Sequence, residues 1–188
     1  MKNSILIKKM TIGGVLLAIG IVITFSLHLS GLGIGPYILP MHFVVILGVL
    51  TTGYFGVILG FTIPLFNLMV GLMPPHIAAF LTIELVFLAI ILASLQAIFA
   101  KRLGNVKFFY HILVFLSIIF TKVFLILGIM LALELSIVTF GGTALAYVTS
   151  STLVGIGGLS LSFIVTPIIY DRIKIKSSIH DRELSDEI

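Results

Sequence analysis

This sequence lacks cysteine and is poor in charged residues. It contains no cysteine, which excludes disulfide bonds and thiol chemistry. Only 10% of its residues are charged and 60% are hydrophobic, whereas soluble domains are roughly a quarter charged. A soluble domain could not cover its surface with so few charges, and the mean hydropathy of +1.31 suits a chain whose solvent is the lipid bilayer. We therefore expect one membrane domain over residues 1–188.

Motifs for ATP binding and for common hydrolases are also missing. The sequence has no G-x-x-x-x-G-K-[ST] phosphate loop, no H-E-x-x-H and no G-x-S-x-G. We therefore expect no enzyme and no cofactor, and any active uptake must draw its energy from a partner or an ion gradient. The formal net charge of +4 does not indicate nucleic-acid binding, because the basic residues form short clusters between apolar segments.

Six apolar segments approach the length of about 20 residues that a membrane-spanning helix needs. We expect the second to extend back toward Tyr37, and a tight turn around Gly53 to separate it from the third. The first is longer than a signal-peptide core and is followed by no small-x-small cleavage site, so we expect a retained helix. The predicted helices cover residues 10–27, 42–52, 55–70, 77–100, 108–133 and 151–170, and residues 174–188 form a polar tail.

The distribution of Lys and Arg predicts the orientation of these helices. All of the 11 basic residues except Lys122 flank the helices in three clusters, and six spans put all three clusters on one side. The positive-inside rule makes that side the cytoplasm, so we expect a multi-pass protein of the cell membrane, an all-α bundle with both termini cytoplasmic. The clusters are Lys2, Lys8 and Lys9; Lys101, Arg102 and Lys107; and Arg172, Lys174, Lys176 and Arg182.

Unusual polar residues gather in the predicted outer half of the membrane. Two Gly/Pro-rich loops, residues 30–37 and 73–76, can close a cup that polar side chains line, which is a reasonable ligand site. The alternative to a ligand site is a purely structural role, because His and Pro are ordinary residues at helix ends near lipid headgroups. The outer histidines, His28, His42 and His76, have no metal-motif spacing, so we predict no metal site. The candidate substrate-binding residues are Tyr37, Met41, His42, Asn67, His76, Glu84 and Lys122.

Glu84 and Lys122 are the charges that the prediction places at membrane depth. At the helical rise, Glu84 lies about 10 Å and Lys122 roughly 17 Å below the outer ends of their helices. Such charges normally face the protein interior and have a partner. The pair either braces two helices or contacts a polar ligand, and the sequence leaves both open. An intramembrane enzyme using His42, His76 and Glu84 as acid–base groups is a further alternative.

Small residues four positions apart occur on two of the predicted helices. Gly14 and Ala18 form such a strip on the first helix, and Gly56 and Gly60 form one on the third. A strip of this kind lets another helix approach closely. We expect the Gly56 strip to serve internal packing, and the first helix can dock onto another membrane subunit.

Taken together, nearly the whole chain resembles the substrate-binding S components of energy-coupling factor (ECF) transporters. The resemblance rests on size, on six predicted helices and on an ordered set of motifs, with Gly14 departing from the alanine usual in the first-helix motif. The motifs are Gly14-Val-Leu-Leu-Ala18, Leu39-Pro-Met-His-Phe-Val-Val45, Gly53-Tyr-Phe-Gly56, Thr62-Ile-Pro-Leu-Phe-Asn-Leu-Met-Val-Gly-Leu-Met-Pro-Pro75 and Ile83-Glu84.

This resemblance implies vitamin uptake together with partners. An S component binds its substrate outside, reorients in the membrane and releases it inside, in complex with a transmembrane coupling protein and two cytoplasmic ATPases. The Pro-Met-His and Met-Pro-Pro patterns resemble members linked to cobamide precursors, pantothenate or pyridoxine-like compounds. A structural membrane subunit remains the alternative that needs no ligand.

Overall fold

The computed structural model describes residues 2–30, 35–103, 108–134 and 163–170, and within them every regular element is helical. This confirms the all-α class. Residues 31–34 of the predicted 30–37 loop, the connection at 104–107, most of the predicted sixth helix and the C-terminal tail lie outside the described residues. Residues 35–37 of that loop are instead helical, because α2 begins at Gly35. The helices are α1 Lys2–Leu29, α2 Gly35–Thr52, α3 Gly56–Met69, α4 Pro75–Leu103 and α5 Phe109–Glu134, with a further helical stretch at 163–170.

Four stretches of the described chain are long and apolar enough to cross a membrane, which indicates a membrane protein. They are Leu6–Leu29, Pro40–Met69, Pro75–Ala100 and Phe109–Gly128. The count of six spans and the cytoplasmic location of both termini remain predictions.

The stretch Pro40–Met69 is folded as two antiparallel helices. A 3₁₀ turn at Gly53–Phe55 joins α2 to α3, and Gly53 has a φ of 69°, which glycine adopts without steric cost. Beyond the turn, a Cβ at Gly56 would lie 2.4 Å from the backbone nitrogen of Val49. The two helices therefore touch backbone to backbone, and the chain reverses where the sequence predicts a turn around Gly53.

Helix α2 is the centre of the bundle and packs against α1, α3 and α4. From Met41 to Leu50 every residue except Phe43 is buried. Continuous burial of this kind is expected of a helix with protein on all sides. The inner face of α1 contacts this centre at Gly20, where a Cβ would lie 3.4 Å from Cγ1 of Val44 on α2 and 3.0 Å from Cδ1 of Ile63 on α3.

Neighbouring helices of the bundle alternate in direction, so the bundle has two distinct ends. Helices α3 and α4 are antiparallel, because Gly60 meets Leu85 while Tyr54 bonds Ser94. Only residues 30–34 connect α1 to α2, and residues 104–108 connect α4 to α5, so both pairs run antiparallel. The end of the bundle that contains the Gly53 turn also contains the start of α1 and the end of α4, and we name it the basic end. Its basic residues are Lys2, Lys8, Lys9, Lys101 and Arg102.

Helix α5 packs against α4 and, near its start, against the 163–170 stretch. Ring centroids of Tyr110 and Tyr170 are 4.6 Å apart, and those of Phe115 and Phe163 are 5.7 Å apart. This order of contacts makes the 163–170 stretch antiparallel to α5. Edge-to-face aromatic pairs therefore fasten the stretch at the basic end.

Candidate functional site

Three ionisable side chains from three helices meet inside the bundle, and we name them the Glu84 cluster. Nε2 of His42, on α2, lies 3.2 Å from Oε1 of Glu84, on α4. Nζ of Lys122, on α5, donates a hydrogen bond to the same Oε1. Exposed fractions of the side chains are 5% for His42, 1% for Glu84 and 14% for Lys122. One carboxylate oxygen therefore joins three helices.

Helical periodicity explains why Glu84 is enclosed. The buried stripe of α4 includes Leu81, Leu85 and Leu88, which lie three residues before, one after and four after Glu84. Residues at these spacings share one face of a helix. The carboxylate is thus carried into the core by the same stripe that packs α4 against the rest of the bundle.

The charges of the Glu84 cluster balance when His42 is neutral, since one carboxylate then faces one ammonium. An isolated charge at membrane depth costs a few kcal/mol or more. The ammonium of Lys122 offsets that cost directly, and the hydrogen bond from His42 stabilises the carboxylate further. The cluster can therefore remain buried in an apolar helix bundle.

Asn67 is a second buried polar group, in the last turn of α3. Its side-chain Nδ2 donates to the carbonyl oxygen of Ile63 at 2.8 Å, and it is fully buried. Its Oδ1 is buried without a hydrogen-bond partner. An unsatisfied buried acceptor costs roughly 1–3 kcal/mol. A ligand that donates a hydrogen bond is one way to recover that energy.

The other predicted site residues are distributed around the Glu84 cluster rather than in it. Met41 is fully buried and directly precedes His42. His76 is exposed in the first turn of α4, about 12 Å along the helix axis from Glu84. The backbone of Tyr37 belongs to the first turn of α2, but its side chain lies outside the described part of the chain.

The two small-residue strips have opposite environments. Gly14 and Ala18 are exposed on the outward face of α1, and a Cβ at Gly14 would have no neighbour within 4 Å. Gly56 and Gly60 are buried, and a Cβ at Gly60 would lie 2.9 Å from the carbonyl oxygen of Leu85. The Gly56 strip therefore serves internal packing, while the Gly14 strip leaves a shallow place on the outer surface.

Polar contacts at the basic end were not foreseen from the sequence. Nε2 of Gln96 donates to the carbonyl oxygen of Leu50 at 3.2 Å, and the hydroxyls of Tyr54 and Ser94 are 3.2 Å apart. Leu50 lies in the last turn of α2, where carbonyls lack helical partners. The available signal was the presence of polar residues in an otherwise apolar stretch of α4.

No group of three His, Cys, Asp or Glu side chains suited to a metal ion occurs among residues 2–30, 35–103, 108–134 and 163–170. Of the three outer histidines, His42 is in the Glu84 cluster, whereas His28 and His76 are exposed.

Comparison of the chain with protein-family models, with curated proteins and with solved structures gives no match. Over the described residues, the fold and the site define an all-helical protein. Its helices are long and apolar enough to span a membrane, and a charged cluster is buried between three of them.

Proposed function

We propose that this chain is the membrane-embedded substrate-binding subunit of an ECF-type importer. It captures a water-soluble vitamin or vitamin precursor outside and delivers it inward with a separate coupling module. The observation that carries the proposal is the Glu84 cluster, which is buried between α2, α4 and α5. The motif resemblance supplies the transporter class.

The composition of the cluster supports a binding role. A brace between α4 and α5 needs only Glu84 and Lys122, yet His42 shares the same carboxylate oxygen from a third helix. The unpartnered Oδ1 of Asn67 adds a second costly group in the last turn of α3. Pockets for small polar molecules combine apolar walls with a few such convergent polar groups.

The outward face of α1 supports a partner in the membrane. The Gly14 and Ala18 strip is exposed and open, and small residues allow a helix of another subunit to approach closely. The sequence has no phosphate loop of its own, so a transmembrane coupling protein with two cytoplasmic ATPases would supply the energy.

A structural role is the second candidate, and one observation favours it. Oε1 of Glu84 already accepts hydrogen bonds from α2 and α5, so the cluster ties three helices together without a ligand. The enzyme alternative is weaker, because His76 lies apart from His42 and Glu84 and only two of its three groups meet.

A binding panel tests the proposal. Pantothenate, pyridoxine and cobinamide are titrated calorimetrically into the detergent-purified protein, into Glu84→Gln and into the control Tyr54→Phe at the basic end. We expect micromolar binding of at least one compound, a loss of at least about tenfold in Glu84→Gln, equal to 1.4 kcal/mol, and no loss in Tyr54→Phe. Circular dichroism shows whether Glu84→Gln remains folded. The proposal fails if none of these compounds and no other water-soluble vitamin binds at millimolar concentration.

Co-purification tests the partner. Pull-down from native membranes should recover a small membrane protein and two ATPases. Gly14→Leu should lose them while its ligand affinity remains unchanged, because nothing in the bundle contacts that position. Recovery of the same partners with Gly14→Leu would contradict docking at this strip.

A further inference from the structure

The Glu84 cluster has two groups able to carry a positive charge for one carboxylate oxygen. Lys122 and His42 both contact Oε1 of Glu84. A lysine alone balances the charge, so the histidine is not needed for neutrality. If Lys122 were to leave Glu84, His42 could take its place as the positively charged partner of the carboxylate.

The exposed fractions suggest which partner can be exchanged. Lys122 is the most exposed member, at 14%, whereas Glu84 is exposed by only 1%. The lysine ammonium is also at the end of a flexible four-carbon chain. Lys122 is therefore the more accessible of the two charged groups.

We propose that the site takes a carboxylate-bearing ligand together with one proton, an inference that rests on the proposed function. The ligand carboxylate replaces Glu84 as the partner of Lys122. The proton comes from the aqueous phase and binds His42, which then replaces Lys122 as the counterion of Glu84. No covalent bond other than the new N–H bond of the imidazole is made or broken.

Charge balance is the reason for the proton. One carboxylate and one ammonium already balance in the ligand-free cluster, so neutrality there needs no proton on His42. A bound carboxylate alone would leave one net negative charge buried, which the membrane interior disfavours. A proton on His42 restores neutrality, and histidine is the side chain that takes up a proton near neutral pH. A neutral ligand would leave the cluster neutral and require no proton.

The groups facing His42 in the described residues agree with this assignment. Helix α4 presents Glu84, and α5 presents Lys122. Helix α3 contains no titratable side chain, and the lysines of α1, Lys2, Lys8 and Lys9, lie in its first turns at the basic end. His28 is in the last turn of α1 and exposed. The proton balance therefore centres on His42 within the described part of the chain.

Three matched probe pairs test the proposal: pantothenate with panthenol, nicotinate with nicotinamide, and biotin with its amide. Affinities are measured calorimetrically from about pH 6 to about pH 8, in buffers of different ionisation enthalpy. One carboxylate should bind with uptake of about one proton, and its affinity should fall by up to about tenfold per pH unit as pH rises. Its neutral analogue should bind at least about tenfold more weakly and without proton uptake.

His42→Gln removes the titrating group and keeps a hydrogen-bond donor, so it should abolish the pH slope. The matched control His111→Gln, near the start of α5 at the basic end, should keep it. Proton uptake by the unmutated protein decides the question even if His42→Gln fails to fold.

The failures of the two proposals are distinguishable. Binding of a neutral member alone, or of a carboxylate without proton uptake, overturns the counterion exchange and leaves the uptake proposal standing. If neither these pairs nor pyridoxine and cobinamide bind at millimolar concentration, both proposals are overturned.

Discussion

Removing the ammonium of Lys122 should strongly destabilise the bundle. In Lys122→Met the carboxylate of Glu84, exposed by only 1%, keeps His42 but loses its charged partner. Breaking one side of a buried ion pair costs about 3–5 kcal/mol. We expect about 3 kcal/mol of lost unfolding free energy, at the lower end of that range, because the His42 contact with Oε1 remains.

The double mutant Lys122→Met/Glu84→Leu should recover most of that loss. Replacing a whole buried pair by apolar residues of similar size is often neutral or stabilising. His42 loses its acceptor in this variant, which costs roughly 1 kcal/mol. The double mutant should therefore lie within about 1 kcal/mol of the unmutated protein. Glu84→Leu alone should cost at least the roughly 1 kcal/mol of the lost His42 contact, so the magnitude of the coupling energy in the cycle should be about 3 kcal/mol or more.

Unfolding is followed by far-ultraviolet circular dichroism during titration of the detergent-solubilised protein with dodecyl sulfate. The chain has no tryptophan, so the usual fluorescence signal is missing. Lys8→Met, an exposed lysine on α1, is the matched control and should change stability by less than about 0.5 kcal/mol. Equal stability of Lys122→Met and Lys8→Met would refute a buried ion pair. A double mutant no more stable than Lys122→Met would refute the coupling.

Three further predictions address packing, binding and topology. In the same unfolding titration, Gly56→Ala should lower the free energy of unfolding by about 1–3 kcal/mol, because the new Cβ meets the α2 backbone. Gly14→Ala should leave that free energy unchanged or raise it by up to about 1 kcal/mol. Asn67→Leu should keep or raise the stability of the protein, because an unsatisfied acceptor is removed. If Oδ1 contacts a panel ligand, the same change should weaken the calorimetric affinity for that ligand at least about tenfold, and unchanged affinity would exclude the contact. In this cysteine-free chain, an impermeant maleimide should label Ser30→Cys but not Lys8→Cys in intact cells, and the reverse pattern would contradict the predicted orientation.

The helical class and the turn between α2 and α3 were predictable from local features. Lipid offers no hydrogen-bond partners, so the backbone N–H and C=O groups of a long apolar segment must bond within that segment. A helix satisfies this condition. Gly53 interrupts the pattern and supplies the left-handed conformation that the reversal needs. The start of α1 was less predictable: hydropathy identifies an apolar segment from residue 10, but the helix begins at Lys2. A helix can continue through polar turns that no hydropathy criterion includes.

The contents of the candidate site were predictable only in part. Depth along each helix suggested that Glu84 and Lys122 could meet, because the rise per residue is fixed. The rotation of α2 that brings His42 to the same oxygen depends on packing against three neighbouring helices, which one segment does not encode. The same limit applies to the glycine strips, since Gly14 and Gly56 share a spacing but face different surroundings.

Bracing and binding are competing uses of Lys122, and this competition has a measurable consequence. If a ligand takes Lys122 from Glu84, it removes the hydrogen bond between α4 and α5 while the contact between α2 and α4 through His42 remains. Binding should then loosen α5 relative to the other helices, so amide hydrogen exchange in the middle of α5 should rise when a carboxylate binds. A ligand that leaves the brace intact should lower exchange throughout, because binding ordinarily stabilises the folded state. Faster exchange confined to α5 would therefore distinguish counterion exchange from simple occupation of a preformed site.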